Sequence, residues 1–251
     1  MKLRHLDLFS GIGGFALAAR MVGIETVGFC EIDPWARRVL EKNFSGIPVH
    51  DDVRTLDTTA FGRIDLLTGG YPCQPFTIAG KREGEADDRH LWPAMHRVVE
   101  QARPTWVVCE NVAGHITLGL DQVLLDLESI GYTTRPFVIP ACAVDAMHRR
   151  DRVWIVAHRM RDRSKAGAAD TTTGKERRSA VAIDCGGPAH PPRAVDFQWS
   201  PEPDVGRVAD GIPYRVDRLR GLGNAIVPQV AAEIFRCVLT HEPDQNQTSI
   251  N

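Results

Sequence analysis

The sequence lacks the features of a secreted or membrane protein. Its first apolar stretch is interrupted by Asp7, which leaves it well short of the apolar core of a signal peptide. No stretch approaches the ~20 consecutive apolar residues that cross a bilayer. The composition, 43% hydrophobic and 25% charged, is instead ordinary for a soluble enzyme. We therefore expect a protein that makes no use of a membrane.

Paired cysteines are also missing. The six cysteines lie far apart, and no two of them form a C-x-x-C pair: they are at positions 30, 73, 109, 142, 185 and 237. Such spacing is typical neither of a zinc site nor of a small disulfide framework. We expect no metal, and a reducing cytoplasm as the location. A special role for any one cysteine must then come from its local surroundings.

The formal net charge is only −2, but the charge is unevenly distributed. Residues 149–178 contain ten Lys and Arg against four Asp and Glu. A basic segment on an otherwise acidic chain indicates a surface that binds a polyanion. A solvated loop would give the same composition, so charge alone does not decide between the two.

Apolar runs of strand length alternate with helical stretches through the first 157 residues. The pattern predicts strands at 3–9, 25–30, 64–68, 105–110, 132–139 and 152–157, and helices at 15–22, 34–43, 91–102 and 118–130. This alternation predicts a doubly wound, Rossmann-like α/β sheet. Such sheets bind ligands beyond the carboxyl ends of their strands. Unusual residues at those ends are therefore candidate site residues.

Regular patterning stops near Arg159. Residues 160–215 are polar and have little periodicity, which predicts a small irregular segment of the kind that often carries function. Regularity returns at Arg218, and a final helix at 228–240 begins with a proline. The predicted organisation is a catalytic domain built from 1–158 and 216–242, a small segment at 159–215 and a flexible tail at 243–251.

A glycine-rich turn follows the first predicted strand, where residues 7–15 read DLFSGIGGF. Gly11 and Gly13 allow the backbone to turn tightly beneath a nucleotide-like ligand. Glu31 follows the second strand, where a carboxylate can accept hydrogen bonds from ribose hydroxyls. Asp52 follows the third strand region and could meet an adenine amino group. This pattern alone also suits a dinucleotide oxidoreductase, or a plain tight turn.

Two further strand ends carry reactive residues. Residues 69–76 read GGYPCQPF, so an apolar strand delivers Cys73 into a Gly- and Pro-rich loop that would expose its thiol. Glu110 leaves the buried strand 105–110, where a raised pKa would let it donate a proton. Arg150 and Arg152, on one face of the last predicted strand, could hold a base carbonyl and a phosphate. A buried cysteine, a helix cap at Asn111 and surface salt bridges are the alternatives.

Taken in order, these blocks resemble the cytosine-5 DNA methyltransferases. The resemblance rests on residues 7–15, on Pro-Cys-Gln at 72–74, on Glu-Asn-Val at 110–112, on the two arginines and on GLGNAIVPQ at 221–229. Within the family, the compact chain is similar to phage and prophage members, and the resemblance also implies a place in a restriction-modification system. The resemblance implies methyl transfer from S-adenosylmethionine to C5 of a cytosine in double-stranded DNA, by a monomer in a bacterial or phage-infected cell.

The resemblance also implies residue roles. Cys73 attacks C6 of a flipped cytosine, Glu110 protonates or hydrogen-bonds N3, and Arg152 binds O2 with support from Arg150. The cofactor pocket is implied at Phe9, Gly11, Gly13, Glu31, Asp52, Pro72, Leu91 and Asn224. We expect the irregular segment to read DNA through its basic side chains: Arg159, Arg161, Arg163, Lys165, Arg177 and Arg178.

Three other functions are compatible with parts of the sequence. A branch of the same family methylates tRNA with the same Cys and Glu-Asn-Val blocks, and the basic segment suits either nucleic acid. An NAD-dependent oxidoreductase would use the glycine turn and Glu31 but would leave Cys73, Glu110 and the arginines without a joint purpose. A non-catalytic DNA-binding relative is disfavoured because Cys73, Glu110 and Asn224 are all present.

Overall fold

The computed structural model describes residues 2–72, 91–160 and 215–241. Seven strands lie in this part of the chain: β1 Arg4–Leu8, β2 Glu25–Cys30, β3 Val49–His50, β4 Leu66–Gly69, β5 Trp106–Val112, β6 Tyr132–Ile139 and β7 Arg152–Arg159. The α-helices are α1 Gly14–Met21, α2 Pro34–Asn43, α3 Trp92–Ala102, α4 Leu120–Ser129, α5 Arg215–Asn224 and α6 Pro228–His241. Short 3-10 helices occupy Thr58–Phe61, Ala113–Thr117 and Ala141–Val144.

The strands form one mixed sheet in the order β3-β2-β1-β4-β5-β7-β6. Strands β1 to β5 are parallel, and β7 runs antiparallel to both β5 and β6. From β1 the chain proceeds outward to β2 and β3 and then returns to place β4 on the other side of β1. This reversal opens a crevice at the carboxyl ends of β1 and β4, where ligands of such sheets bind. The predicted doubly wound α/β fold is confirmed.

Both faces of the sheet are covered, as the apolar runs require. Neighbouring residues on a strand point to opposite faces, so Leu67 packs with Met95 of α3 on one face while Leu66 packs with Phe235 of α6 on the other. Phe15 of α1 lies against Phe235 with the ring centroids 6.3 Å apart. The covered faces leave the edge formed by the strand ends as the place for a site.

Helix α2 shows how local sequence sets the start of an element near that edge. Asp33 Oδ1 accepts hydrogen bonds from the backbone N–H groups of Trp35 and Ala36, at 2.7 and 3.2 Å. Pro34, at the first helical position, has no N–H that would need a partner. The Asp-Pro pair therefore fixes where α2 begins.

One stretch, Gly221–His241, is long and apolar enough to cross a membrane by length and composition. The stretch is not a continuous apolar run, because Asn224, Gln229, Glu233 and Arg236 interrupt it. The packing gives the physical reason for the composition: Val230, Ala231, Phe235 and Val238 are buried against the sheet. The segment is also divided into two helices, because α5 ends at Asn224 and α6 begins at Pro228.

One departure from the predicted elements lies at the end of β7. The strand continues to Arg159, which the sequence analysis assigned to the DNA-reading segment. The guanidinium of Arg159 donates a hydrogen bond to the backbone carbonyl of Arg103, and its backbone N–H bonds to Thr105. Arg159 is therefore part of the sheet, and one donor of its guanidinium is used by a backbone carbonyl of the chain itself.

Candidate active site

A cavity of about 530 Å³ lies at the carboxyl ends of β1, β4 and β5. Volumes of this order are typical of ligand sites. Its walls come from the turn after β1, the start of α2, the residues after β4, the end of β5 and the segment that joins α5 to α6. The lining residues include Phe9, Gly11, Glu31, Pro72, Glu110, Arg152 and Asn224.

The glycine-rich turn is held by hydrogen bonds among its own residues. Ser10 Oγ donates to the carbonyl of Asp7 at 2.7 Å, and Gly13 N donates to the carbonyl of Ser10 at 2.8 Å. Phe9 and Gly11 both have positive φ angles, 52° and 53°, so the chain folds sharply at the mouth of the cavity. The turn thereby presents the backbone of Gly11 to the cavity, as the sequence predicted.

Gly13 serves the turn itself. It does not line the cavity. Its φ of 89° lies in the left-handed region, and a Cβ atom there would lie 2.5 Å from the ring of Phe44. Gly13 is therefore required for the turn to pack against Phe44 below it, at the start of α1.

Glu31 joins two walls of the cavity. Its Oε2 accepts from the N–H of Gly11 at 2.7 Å, and its Oε1 accepts from the N–H of Asp33 at 2.8 Å. The residue is 9% exposed. Each carboxylate oxygen has a second lone pair, so Glu31 can hold a ligand hydroxyl while it fixes the turn after β1 to the start of α2.

Asp52 and Leu91 are not among the described residues that line the cavity. Both Asp52 oxygens bind the guanidinium of Arg54, with distances from 2.8 to 3.0 Å, and these hydrogen bonds lower the pKa of the carboxyl. Leu91 precedes α3, where its carbonyl accepts from Met95 N, and its side chain packs against the core. Asp52 is thus paired with a neighbouring side chain, and Leu91 is packed at the start of α3.

Other cavity residues had no distinctive signal in the sequence. Ile32 is 61% exposed beside Glu31, and Trp35 projects from the first turn of α2. Trp35 lies so close to α5 that a Cβ atom on Gly221 would be 2.6 Å from its ring. An apolar residue directly after a strand-end carboxylate is a weak signal, but it could have pointed to Ile32.

Glu110 and Arg152 form an ion pair in the wall of the cavity. Glu110 Oε1 lies 2.9 Å from Arg152 Nε, and Glu110 is only 8% exposed. Burial raises the pKa of the Glu110 carboxyl, while the charges of Arg152 and Arg150 oppose that rise. The carboxyl is therefore positioned by a fixed cation and has a raised affinity for a proton.

Asn111 connects the Glu110 strand to the residues after β4. It lies within β5 and does not cap a helix, and its Nδ2 donates to the carbonyl of Tyr71 at 3.1 Å. Tyr71 Oη in turn lies 2.7 Å from Nε2 of buried His115. These bonds hold the backbone just before Pro72, which lines the cavity. Cys73 itself lies outside the described residues.

Arg150 and Arg152 do not share one face of a strand. Strand β7 begins only at Arg152, and Arg150 before it has a φ of 39°, in the left-handed region. Its guanidinium donates to the carbonyls of Gly223 and Ala225 and not to Glu110. The expected pair is therefore divided, because the backbone turn at Arg150 redirects its side chain.

The remaining predicted DNA contacts are not described by the structure. They are the basic residues Arg161, Arg163, Lys165, Arg177 and Arg178. Among the residues that are described, no group of three or more His, Cys, Asp or Glu side chains could hold a metal ion.

A buried chain of polar side chains lies beneath the glycine-rich turn. Thr68 Oγ1 donates to Asp7 Oδ1 at 2.9 Å and lies 2.8 Å from Nε2 of His5, while His5 Nδ1 lies 3.0 Å from Thr26 Oγ1. Since the Thr68 proton is used for Asp7, Nε2 of His5 must carry the proton of the neutral ring. Burial lowers the pKa of His5 to about 3 and raises that of Asp7 to about 8.

We expect Asp7 to make the folded protein less stable as the pH rises from about 6.5 to 8. The folded-state pKa of Asp7 is raised, so its stabilising contribution is present at low pH and is lost up to about pH 8. Below pH 6.5, the depressed pKa of His5 makes the free energy of unfolding increase as the pH rises. This increase offsets the decrease due to Asp7 down to about pH 4. One proton accounts for at most about 1.4 kcal/mol per pH unit.

Urea unfolding at several pH values tests this expectation. The Asp7→Asn variant should lose the decline in unfolding free energy between pH 6.5 and 8, and Asp121→Asn, at an exposed position of α4, should keep it. Equal pH dependence in Asp7→Asn and the wild type would refute the assignment.

The strand order, with an antiparallel β7 between β5 and β6 and a cavity at the carboxyl ends, defines an S-adenosylmethionine-dependent methyltransferase fold. Within that class, the sequence profile of the C-5 cytosine-specific DNA methylases matches residues 3–185. The chain belongs to this family.

Individual relatives agree with the family. The chain is 32% identical over 169 residues to the Type II methyltransferase M2.BsuMI of Bacillus subtilis, covering 64% of this chain and 43% of that protein. It is 36% identical over 164 residues to M.CviJI of a Paramecium bursaria Chlorella virus, covering 63% and 44%. The crystal structure of S. pombe Dnmt2 methyltransferase superposes with a TM-score of 0.56 at 27% identity, covering 63% and 51%. The chain thus spans less than half the length of these two curated relatives.

Proposed function

We propose that this chain transfers a methyl group from S-adenosylmethionine to C5 of cytosine in DNA. The observation that carries the proposal is the buried Glu110–Arg152 pair, which shares one cavity with Glu31 and with Pro72, the residue before Cys73. Glu110 and Arg152 thus offer a proton donor and a cation to a nucleobase on one wall. Glu31 offers a carboxylate to a ribose on another. The family membership and the named relatives support the same chemistry.

The base side of the cavity would make cytosine reactive. The Cys73 thiolate bonds to C6, and the electron pair of the C5–C6 bond becomes available at C5 as N3 receives a proton from Glu110. Arg152 holds O2 of the base and keeps the Glu110 carboxyl in place. After methylation, loss of the C5 proton to solvent and cleavage of the Cys73–C6 bond restore the thiolate and the C5–C6 double bond, and N3 returns its proton to Glu110. The base must leave the duplex to reach these groups, which costs a few kcal/mol.

The opposite side of the cavity suits the cofactor. Glu31 can accept the ribose hydroxyls, Phe9 and Ile32 offer apolar surface, and Asn224 offers an amide. When bound there, S-adenosylmethionine supplies an electrophilic methyl group. The carboxylate of Glu31 and the exposed apolar side chain beside it fit a ligand that is polar at its ribose and flat and apolar at its base.

We expect Glu31→Ala to weaken S-adenosylmethionine binding by about one to two decades, since a charge-assisted hydrogen bond in a partly buried site is lost. The substitution also frees the N–H groups of Gly11 and Asp33, which adds to the loss. Isothermal calorimetry measures the change, and Glu25→Ala, at the exposed start of β2, is the control. An unchanged dissociation constant for Glu31→Ala would remove Glu31 from the proposed site.

Incubation with tritiated S-adenosylmethionine tests the proposed reaction. Duplex DNA and tRNA are offered in parallel, and bisulfite sequencing of the DNA locates any modified cytosine. Label at C5 of cytosine in DNA supports the proposal. Label in tRNA alone would identify the RNA-modifying branch instead, and label in neither would indicate a non-catalytic relative.

We further propose that residues 159–215 read the target sequence, apart from Arg159, whose side chain the sheet retains. At roughly 55 residues the segment can make few base-edge contacts, so we expect a short or degenerate target of about two to four base pairs. The protein would act as a monomer in the cytoplasm, within a restriction-modification system like its Type II relatives.

Methylation mapping in a host without DNA methylation measures this context. Modified cytosines should share a defined short flanking sequence. If flanking bases have no influence, the segment only adds electrostatic affinity. A long, strict context would contradict the argument from size.

A further inference from the structure

We propose that Arg150 is a positioning residue for the cofactor side of the cavity: it fixes the turn at residues 223–225 and thereby places Asn224. This inference rests on the proposed function. It differs from the role that the sequence implied, in which Arg150 supports Arg152 at the base. The two arginines would then serve opposite sides of one cavity.

The contacts of Arg150 carry the proposal. Its Nη2 donates to the carbonyl of Gly223 at 2.7 Å and to the carbonyl of Ala225 at 2.8 Å. These are the two residues that flank Asn224, which lines the cavity. The guanidinium therefore binds the backbone on both sides of Asn224.

The turn needs such a partner because it lies where a helix ends. Helix α5 ends at Asn224, and the last carbonyls of a helix have no N–H partner within it. Pro228, which starts α6, has no N–H to offer. Arg150 supplies both a donor and a positive charge at the carboxyl end of α5, where a cation is favoured.

Little else among the described residues fixes Asn224. Gly223 and Asn224 are exposed, and within the described ranges no side-chain hydrogen bond of Asn224 is formed. Ala225 N donates to Gly221 at 3.1 Å, and Ile226 packs over Gly14. The amide of Asn224 is therefore available to a ligand, while the backbone on either side is held by an arginine from another element.

The backbone of Arg150 explains why it reaches the turn when Arg152 does not. Its φ of 39° is rare for a residue with a side chain and turns the chain just before β7 begins. Arg152, two residues later, lies in the strand and binds Glu110. Arg149, on the other side, is exposed and pairs with Asp151, so it provides a matched control.

We expect Arg150→Ala to raise the dissociation constant of S-adenosylmethionine about tenfold in the full-length chain, measured by calorimetry. In steady-state assays the KM for S-adenosylmethionine should rise by a similar factor, while kcat at saturating cofactor changes less than about threefold because the Glu110–Arg152 pair is intact. Arg149→Ala should leave both constants unchanged. Arg150→Lys, which keeps the charge and one or two donors, should recover part of the affinity.

A double-mutant cycle tests whether Arg150 acts through the turn. Asn224→Ala alone should weaken binding, and adding Arg150→Ala to it should cause little further loss, because both changes remove the same contact. Independent, additive losses would overturn the proposal, as would an Arg150→Ala variant with wild-type affinity.

Hydrogen exchange separates this inference from the proposed function. In the unliganded protein, the amide of Ala225 should exchange faster in Arg150→Ala than in Arg149→Ala. If the wild type bound no S-adenosylmethionine, the proposed function would fail, and faster exchange would still support Arg150 as the residue that holds the turn. Unchanged exchange would overturn the inference whatever the binding result.

Discussion

Replacing Cys73 with serine should reduce methyl transfer by about three decades or more, while the affinities for DNA and S-adenosylmethionine stay within about twofold. Carbon 5 of cytosine is a poor nucleophile until a group adds at C6. A serine hydroxyl is far less ionised than a thiol near neutral pH, so it cannot make that addition at a useful rate. Single-turnover assays with labelled cofactor measure the loss.

The other cysteines sharpen this test. Cys30 and Cys109 are buried, and burial raises the pKa of Cys30 to about 12 and raises that of Cys109 as well. Their thiolates are therefore scarce at neutral pH. Cys142 is exposed, and Cys142→Ser should retain full activity as the matched control.

Trapping identifies the attacking atom directly. DNA with fluorine in place of the C5 hydrogen of the target cytosine should form a denaturant-stable adduct, because the fluorine cannot leave as a proton and the Cys73–C6 bond is then retained. Peptide mapping should place that adduct on Cys73. An adduct on another cysteine, or an active Cys73→Ser protein, would refute the assignment.

The second large effect is expected from Glu110→Gln. Glutamine keeps the shape of the side chain and can still accept from Arg152, but it has no acidic proton to give to N3. Loss of such a proton donor costs about two to four decades in the chemical step. Cofactor affinity should stay unchanged, because Glu31, not Glu110, is the proposed ribose ligand.

Rapid-quench single-turnover kinetics and calorimetry separate these two quantities. Glu233→Gln, which removes an exposed carboxylate paired with Arg236, is the control and should be neutral. In the wild type, the raised pKa of Glu110 predicts that the chemical step slows as rising pH removes its proton. That alkaline limb should be absent in Glu110→Gln. A variant that loses cofactor binding but not the chemical step would contradict the assignment.

The positions of the main cavity residues were predictable because strand ends in a parallel sheet meet at one edge. Glu31 follows β2, Glu110 lies near the end of β5 and Pro72 follows β4, and all three line the same cavity. Continuous apolar runs of strand length located those strands, and the carboxyl-end rule then brought their last residues together. No contact between distant residues had to be known.

The structure also gives two predicted site residues side-chain partners that hydrophobic periodicity does not indicate. Asp52 stands at a strand end, as Glu31 does, but Arg54 two residues later binds its carboxylate. Arg159 looked like the first residue of a basic segment, but its side chain bonds to the carbonyl of Arg103, more than fifty residues earlier. Residue type indicated what these side chains could do, and their neighbours decided whether they were available.

By itself, the sequence determined the doubly wound sheet, the order of the family's blocks and the strand ends that build the cavity, because hydrophobic periodicity and glycine placement are local properties of the chain. Only the tertiary structure decided how Arg150 and Arg152 divide between the two sides of that cavity. A left-handed backbone angle at Arg150 turns one side chain toward Gly223 and Ala225, while the next strand position aims the other at Glu110. Arg150 binds a partner more than seventy residues away, and Arg152 binds one more than forty residues away. A periodic sequence pattern indicates neither these partners nor the backbone angle.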